Sequence, residues 1–214
     1  MKAYRIPNPC RAVLFDMDST LYTNEEYAFA QIELQLGRLA AARGKSLDQT
    51  KLEVAAHRQK WSDENGGLSL SLANAFVAFG VDIAESSKWR DELAKPGLYL
   101  GKDARLRSAL EKLALGRALA VVTNNPVGVA EKTLGALGVR DLFCAVVGLD
   151  TCGVSKPHAA PYLRAASLCG AEPETCLSVG DRYDIDVALP LELGMGGVLV
   201  DGVEDVYALP ELLP

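Results

Sequence analysis

The sequence predicts a doubly wound α/β fold, a parallel sheet with helices on both faces, interrupted by a small all-helical domain. Three observations predict it. Short Val- and Leu-rich runs recur at 12–15, 118–122, 145–148, 176–179 and 197–200, as strands buried on both faces require. Each later run follows a stretch of helical spacing, the pattern of parallel strands joined by crossover helices. Between the first two runs the rhythm breaks: from about 23 to 96 lie some 75 residues without a convincing strand, too long for a plain crossover.

Each element has its own justification. The first strand ends at Phe15, and after Leu21 the chain enters the insert. There Phe29, Ile32, Leu36 and Leu39 fall on one helical face. Helical patterns continue over 47–61, 69–79 and 84–93, with breaks at Gly44, Gly66-Gly67 and Gly80. Residues 104–115 place Leu106, Leu110 and Leu113 at helical spacing ahead of the second strand. A helix over 127–137 opens just after Pro126 and closes on Gly138, and helices over 161–168 and 187–193 precede the last two strands. The expected division is an α/β core of residues 1–22 and 97–214, with a helical domain of residues 23–96 over the C-terminal edge of the sheet.

Composition narrows the classes of function. About half of the 214 residues are apolar, enough for a sizeable core without disulfide or metal staples. A net charge of −6 argues against a nucleic-acid binder, which needs a basic face. The five cysteines form no CxxC pair and no Cys/His cluster, and read as reduced thiols, mostly small core residues. The N-terminus has no apolar signal core, and no run approaches a membrane span. The expectation is a cytoplasmic protein with no membrane partner, a monomer or a homodimer.

In an open parallel sheet, ligands bind outside the carboxyl ends of the strands, near the topological switch point. Four polar sets stand there. Asp16 and Asp18 follow the first strand, and Thr123-Asn124-Asn125 the second. Ser155-Lys156-Pro157 comes after the third, and Gly180-Asp181-Arg182-Tyr183-Asp184-Ile185-Asp186 after the fourth. A carboxylate such as Asp16 can attack phosphorus and split hydrolysis into two easier steps. A second carboxyl two residues on, Asp18, can protonate the leaving oxygen and then deprotonate water. Mg²⁺ takes one or two carboxylates plus phosphate and water, and Asp181 can complete that set. Lys156 supplies positive charge to nucleophile and phosphate, while the Thr123 hydroxyl and the adjacent amides, including Asn124, can hold phosphoryl oxygens. Each set has a bland reading. An Asp after a strand is commonly a turn former, and Thr123-Asn124-Asn125-Pro126 could simply cap a helix. Four sets in order, each at a strand's carboxyl end, favour chemistry.

With these residues in place, the chain resembles the haloacid dehalogenase superfamily, matching its four motifs over nearly the whole length. The motifs are Asp16-Met17-Asp18-Ser19-Thr20, Thr123, Lys156, and Gly180-Asp181 followed by Asp186. The resemblance implies Asp16 as nucleophile and Asp18 as general acid/base. It also implies Mg²⁺ bound by the Asp16 carboxylate, the Asp18 backbone carbonyl and Asp181, with Asp186 near the metal but outside the ligand set. True dehalogenases of the superfamily lack an acid at the place of Asp18, so that residue points to phosphate chemistry. The insert resembles the family's C1-type cap. Phe15-Asp16-Met17-Asp18-Ser19-Thr20-Leu21-Tyr22 looks most like the pyrimidine 5′-nucleotidase-like and phosphoglycolate-phosphatase-like branches, although Ser19 departs from the commoner Gly or Asn.

The resulting expectation is a Mg²⁺-dependent phosphomonoester hydrolase acting on a small phosphorylated metabolite through an aspartyl-phosphate. A sugar phosphomutase would use the same acids, and a non-catalytic binding protein of this fold would lack the nucleophile or the metal acid. Among the other polar residues, His158 reads as a helix N-terminal surface residue, Arg182 and Trp61 as structural, and Asp184 as a solvated cap.

Overall fold

The computed structural model describes residues 1–67 and 70–213. Its backbone divides into two compact units, Met1–Asn24 with Pro96–Pro214, and Glu25–Lys95.

The first unit is built on a six-stranded sheet in the order β1-β6-β5-β2-β3-β4. Its strands are β1 (Lys2–Arg5), β2 (Ala12–Phe15), β3 (Ala118–Val122), β4 (Ala145–Val147), β5 (Cys176–Gly180) and β6 (Gly196–Leu199). The five expected strands are present and mutually parallel, with β2 paired to β3 on one side and to β5 on the other. All four residues of β2 and all five of β5 are buried, which is why they read as unbroken apolar runs. Chain order reverses direction at β2, so the switch point lies beside Asp16.

The sequence reading missed β1, which runs antiparallel to β6 at the sheet edge. All four of its side chains are exposed, so it carries no apolar run to detect. Its approach is possible because position 196 is glycine: a Cβ there would stand 2.5 Å from Pro7 Cδ and 2.7 Å from the Arg5 carbonyl.

The helices in chain order are α1 (Glu25–Arg43), α2 (Leu47–Glu64), α3 (Leu72–Val77), α4 (Ile83–Leu93), α5 (Ala104–Leu113), α6 (Val127–Leu137), α7 (Leu149–Cys152), α8 (Ala159–Leu168), α9 (Ala188–Glu192) and α10 (Val203–Ala208). On one side of the sheet, Tyr162, Ala165 and Ala166 of α8 pack with Leu14, Ala120, Val122 and Val147. The helix expected over 187–193 is α9, and the chain enters it through a π turn, Tyr183–Val187, that was not expected.

The second unit holds α1 to α4 and, among the described residues, no strand. Leu36, Leu39, Val54, Phe76, Val81 and Trp89 form its core, with Trp61 packed against it. Side-chain oxygens of Ser46, Ser71 and Asp82 each accept a backbone N–H three residues on, capping α2, α3 and α4. The helix expected over 69–79 is shorter, Leu72–Val77; Ser69 lies outside the described residues. The face expected to bury Phe29, Ile32, Leu36 and Leu39 is only half buried. Leu36 and Leu39 are in the core, whereas Phe29 is 62% and Ile32 47% exposed. The first turns of α1 carry that face past the core of its own unit. Among the described residues no helix is long and apolar enough to cross a membrane.

Candidate active site

The four polar sets converge where β2, β3, β4 and β5 end. Asp16 leaves β2 with its N–H donating to the Val179 carbonyl of β5 at 2.8 Å. That bond places the carboxylate in the interior, 6% exposed. The Lys156 ammonium, equally buried, donates to Asp16 Oδ1 and to Asp186 Oδ1, both at 2.6 Å. A lone buried ammonium would be costly; two carboxylates make this one tenable. Burial alone would lower its pKa, but Asp16 and Asp186 outweigh that and raise it.

The same burial lifts the Asp16 carboxyl to about 7, with Lys156 opposing the rise and Asp186 and Asp18 adding to it. Asp181, half-buried after β5, is also raised, first by burial and then by Asp186. Carboxylate oxygens of Asp16, Asp181 and Asp186 lie within 4.8 Å of one another. Hard oxygen donors whose anionic forms are under-compensated by the protein suit a hard divalent cation.

Asp186 reaches this cluster through the π turn. Its Oδ2 accepts the Arg182 N–H at 3.1 Å, and its backbone carbonyl accepts the Ser178 hydroxyl at 2.7 Å. The Tyr162 hydroxyl donates to the Ile185 carbonyl at 2.6 Å, supporting the turn from α8. The turn comes so close to β5 that a Cβ at position 180 would stand 2.4 Å from Asp186 Cβ. Glycine before Asp181 is therefore a condition for Asp186 to be there. Asp184 lies on the exposed side of the same turn.

Thr123 is anchored by its N–H on the Val147 carbonyl at 2.9 Å. Its Oγ1 accepts from Asn125, from the backbone N at 3.1 Å and from Nδ2 at 3.3 Å. The Asn124 side chain faces the α7–α8 loop, accepting the Lys156 N–H at 2.7 Å and donating to the Lys156 carbonyl at 3.1 Å. Its side-chain amide thus clamps the backbone of the lysine.

Asp18 is placed apart from the acidic cluster. Its Oδ2 accepts Asn125 Nδ2 at 2.6 Å and its Oδ1 accepts the Tyr22 hydroxyl. Sequence reasoning quoted Asn125 and Tyr22 without giving either a role. His158 is the N-cap of α8, its Nδ1 accepting the Ala160 N–H at 3.1 Å. In the helical unit, Arg58 Nε donates to the Leu70 carbonyl at 2.8 Å, a structural contact.

The model of the haloacid dehalogenase-like hydrolases matches residues 10–192. Two curated relatives are phosphoglycolate phosphatases. That of Rhodospirillum rubrum is 31% identical over 208 residues, covering 89% of this chain and 79% of its own. That of Pectobacterium atrosepticum is 32% identical over 225 residues, covering 93% and 92%. Among solved structures, a HAD phosphatase from Thermococcus onnurineus has a TM-score of 0.69 at 22% identity, covering 95% of this chain and 97% of its own. The chain belongs to the haloacid dehalogenase-like hydrolases.

Proposed function

We propose that this phosphomonoester hydrolase acts on a small phosphorylated metabolite of the phosphoglycolate kind, with Asp16 as nucleophile and Asp18 as acid/base. One observation carries the reading: Asp16 is a buried carboxylate 2.6 Å from a buried lysine at the switch point of the sheet, with a second acid two residues on. In the first step an Asp16 oxygen attacks phosphorus, the ester P–O bond breaks, and Asp18 gives its proton to the departing oxygen. In the second, Asp18 takes a proton from water, whose oxygen attacks the aspartyl-phosphate; phosphate leaves and the Asp16 carboxylate returns.

Lys156 offsets negative charge on nucleophile and phosphate, and the Thr123 hydroxyl, already accepting from Asn125, has its proton to give to a phosphoryl oxygen. Asn124 serves the phosphate by placing Lys156. Mg²⁺, held by Asp16, the Asp18 carbonyl and Asp181 with Asp186 behind them, would neutralise the phosphoryl oxygens. Residues 23–96 act in this reading as a cap whose side chains select the substrate. Phosphoglycolate is favoured because it is the substrate named for both relatives.

The test is release of inorganic phosphate from a panel holding phosphoglycolate and nucleoside monophosphates, with Mg²⁺ and with chelator. Activity is expected with the cation alone, and Asp16→Asn is expected to abolish it while keeping the fold. Undiminished turnover in Asp16→Asn would reject the mechanism.

A further inference from the structure

We propose that Tyr22 and Asn125 are positioning residues that hold both oxygens of the Asp18 carboxyl and so fix the direction in which it faces the leaving group. This rests on the acid/base role given to Asp18 above.

The two oxygens of Asp18 have partners of different chemistry. Oδ2 faces Asn125 Nδ2 at 2.6 Å, and Oδ1 faces the Tyr22 hydroxyl. Asn125 is fully buried, and its own Oδ1 has no hydrogen-bond partner. A buried amide with an orphaned acceptor is destabilising, so its presence is explained by what the nitrogen does. Flipping the amide would set its carbonyl oxygen against the Asp18 carboxylate, which fixes the orientation.

An amide nitrogen only donates, so Asp18 Oδ2 is held as an acceptor. A phenol both donates and accepts. In the structure the Tyr22 hydroxyl donates to Asp18 Oδ1. With one bond on each oxygen, the carboxyl cannot rotate about its Cβ–Cγ bond without breaking both. A backbone bridge between Asp18 and Tyr22 builds the Tyr22 contact into the loop itself.

The test compares two esters on the full chain with Mg²⁺. One is an alkyl phosphate that the wild type hydrolyses, whose alkoxide needs a proton. The other is 2,4-dinitrophenyl phosphate, whose phenolate leaves without one. The ratio kcat/KM reports only steps up to loss of the alcohol, which isolates the acid step. Tyr22→Phe and Asn125→Leu are expected to lower it about 10- to 100-fold for the alkyl ester, and less than about threefold for the aryl ester. Asp18→Asn should show the same contrast more deeply. Equal losses on both esters would overturn the proposal. Should Asn125→Leu not fold, Tyr22→Phe removes a single oxygen and carries the comparison.

A second readout needs no turnover. The Asn125 side-chain amide protons should resonate downfield in the NMR spectrum and move upfield in Asp18→Ala; unmoved resonances would also overturn the hold. A wild type inactive on both esters, with those resonances shifted as expected, would instead sink the proposed function and leave the Asp18 contact standing.

Discussion

Ser19, between the two motif acids and the rest of the loop, has φ 57°, the left-handed region that favours Gly or Asn. The loop needs that turn, since Leu21 N–H folds back onto the Met17 carbonyl at 2.9 Å. The departure from Gly or Asn seen in the sequence is thus a small backbone strain. Ser19→Asn is expected to raise stability by about 0.5–1 kcal/mol in urea unfolding, without the added unfolded-state entropy of glycine. Lys156 sits at the other extreme of consequence. Removing it by Lys156→Met leaves Asp16 and Asp186 buried without their cation, and should cost about 3 kcal/mol at neutral pH. A variant as stable as the wild type at pH 7.5 would show that the ion pair is energetically neutral.

At the scale of elements, β5 and the π turn behave as one piece because glycine lets them touch. Gly180→Ala would place a methyl group inside Asp186, and the turn must move to relieve it. The expected outcome is a loss of about 1–3 kcal/mol together with most of the activity, read by thermal unfolding and phosphate release. Wild-type stability in that variant would mean that the turn yields easily. The elements also show what a sequence can reveal. Strands β2 to β6 were readable because burial on both faces leaves unbroken apolar runs, and α6 because proline and glycine bracket it. Edge strand β1 left no such trace, since its pairing is made by backbone alone. The π turn is not legible: its residues read as a polar stretch after the fourth strand and carry no signal of a wider ring. Asp16, Asp18, Thr123, Lys156 and Asp181 were legible as motif residues at strand ends. What Asn124 and Asn125 do was not, because two adjacent amides of identical chemistry are sent to different partners by a backbone direction that sequence does not encode.

The whole molecule has acids gathered at one point, and this makes its stability a function of pH. Asp16 in the folded state sits near 7, above its ordinary value of 3.8. Between those values the folded chain binds more protons than the unfolded chain, so stability falls as pH rises through that window. The metal-free protein is expected to melt at a higher temperature at pH 5.5 than at pH 7.5, a slope that Asp16→Asn should flatten. A divalent cation should raise the melting temperature most at the upper end, where the carboxylates are ionised. A slope of opposite sign would place the charge imbalance elsewhere.

One modest contact bears on how such a protein can change. Asn24 Nδ2 donates to the Tyr99 carbonyl at 3.1 Å, tying the point where the chain leaves the sheet unit to the point just after it returns, a knot within that unit. Everything between Glu25 and Lys95 is spliced in at that knot. A lineage could then lengthen, trim or replace the inserted cassette while β2 goes on delivering Asp16 to the same place. If the inserted cassette selects the substrate as proposed, reaction and choice of substrate would be inherited on separate stretches of one gene, free to evolve at different rates.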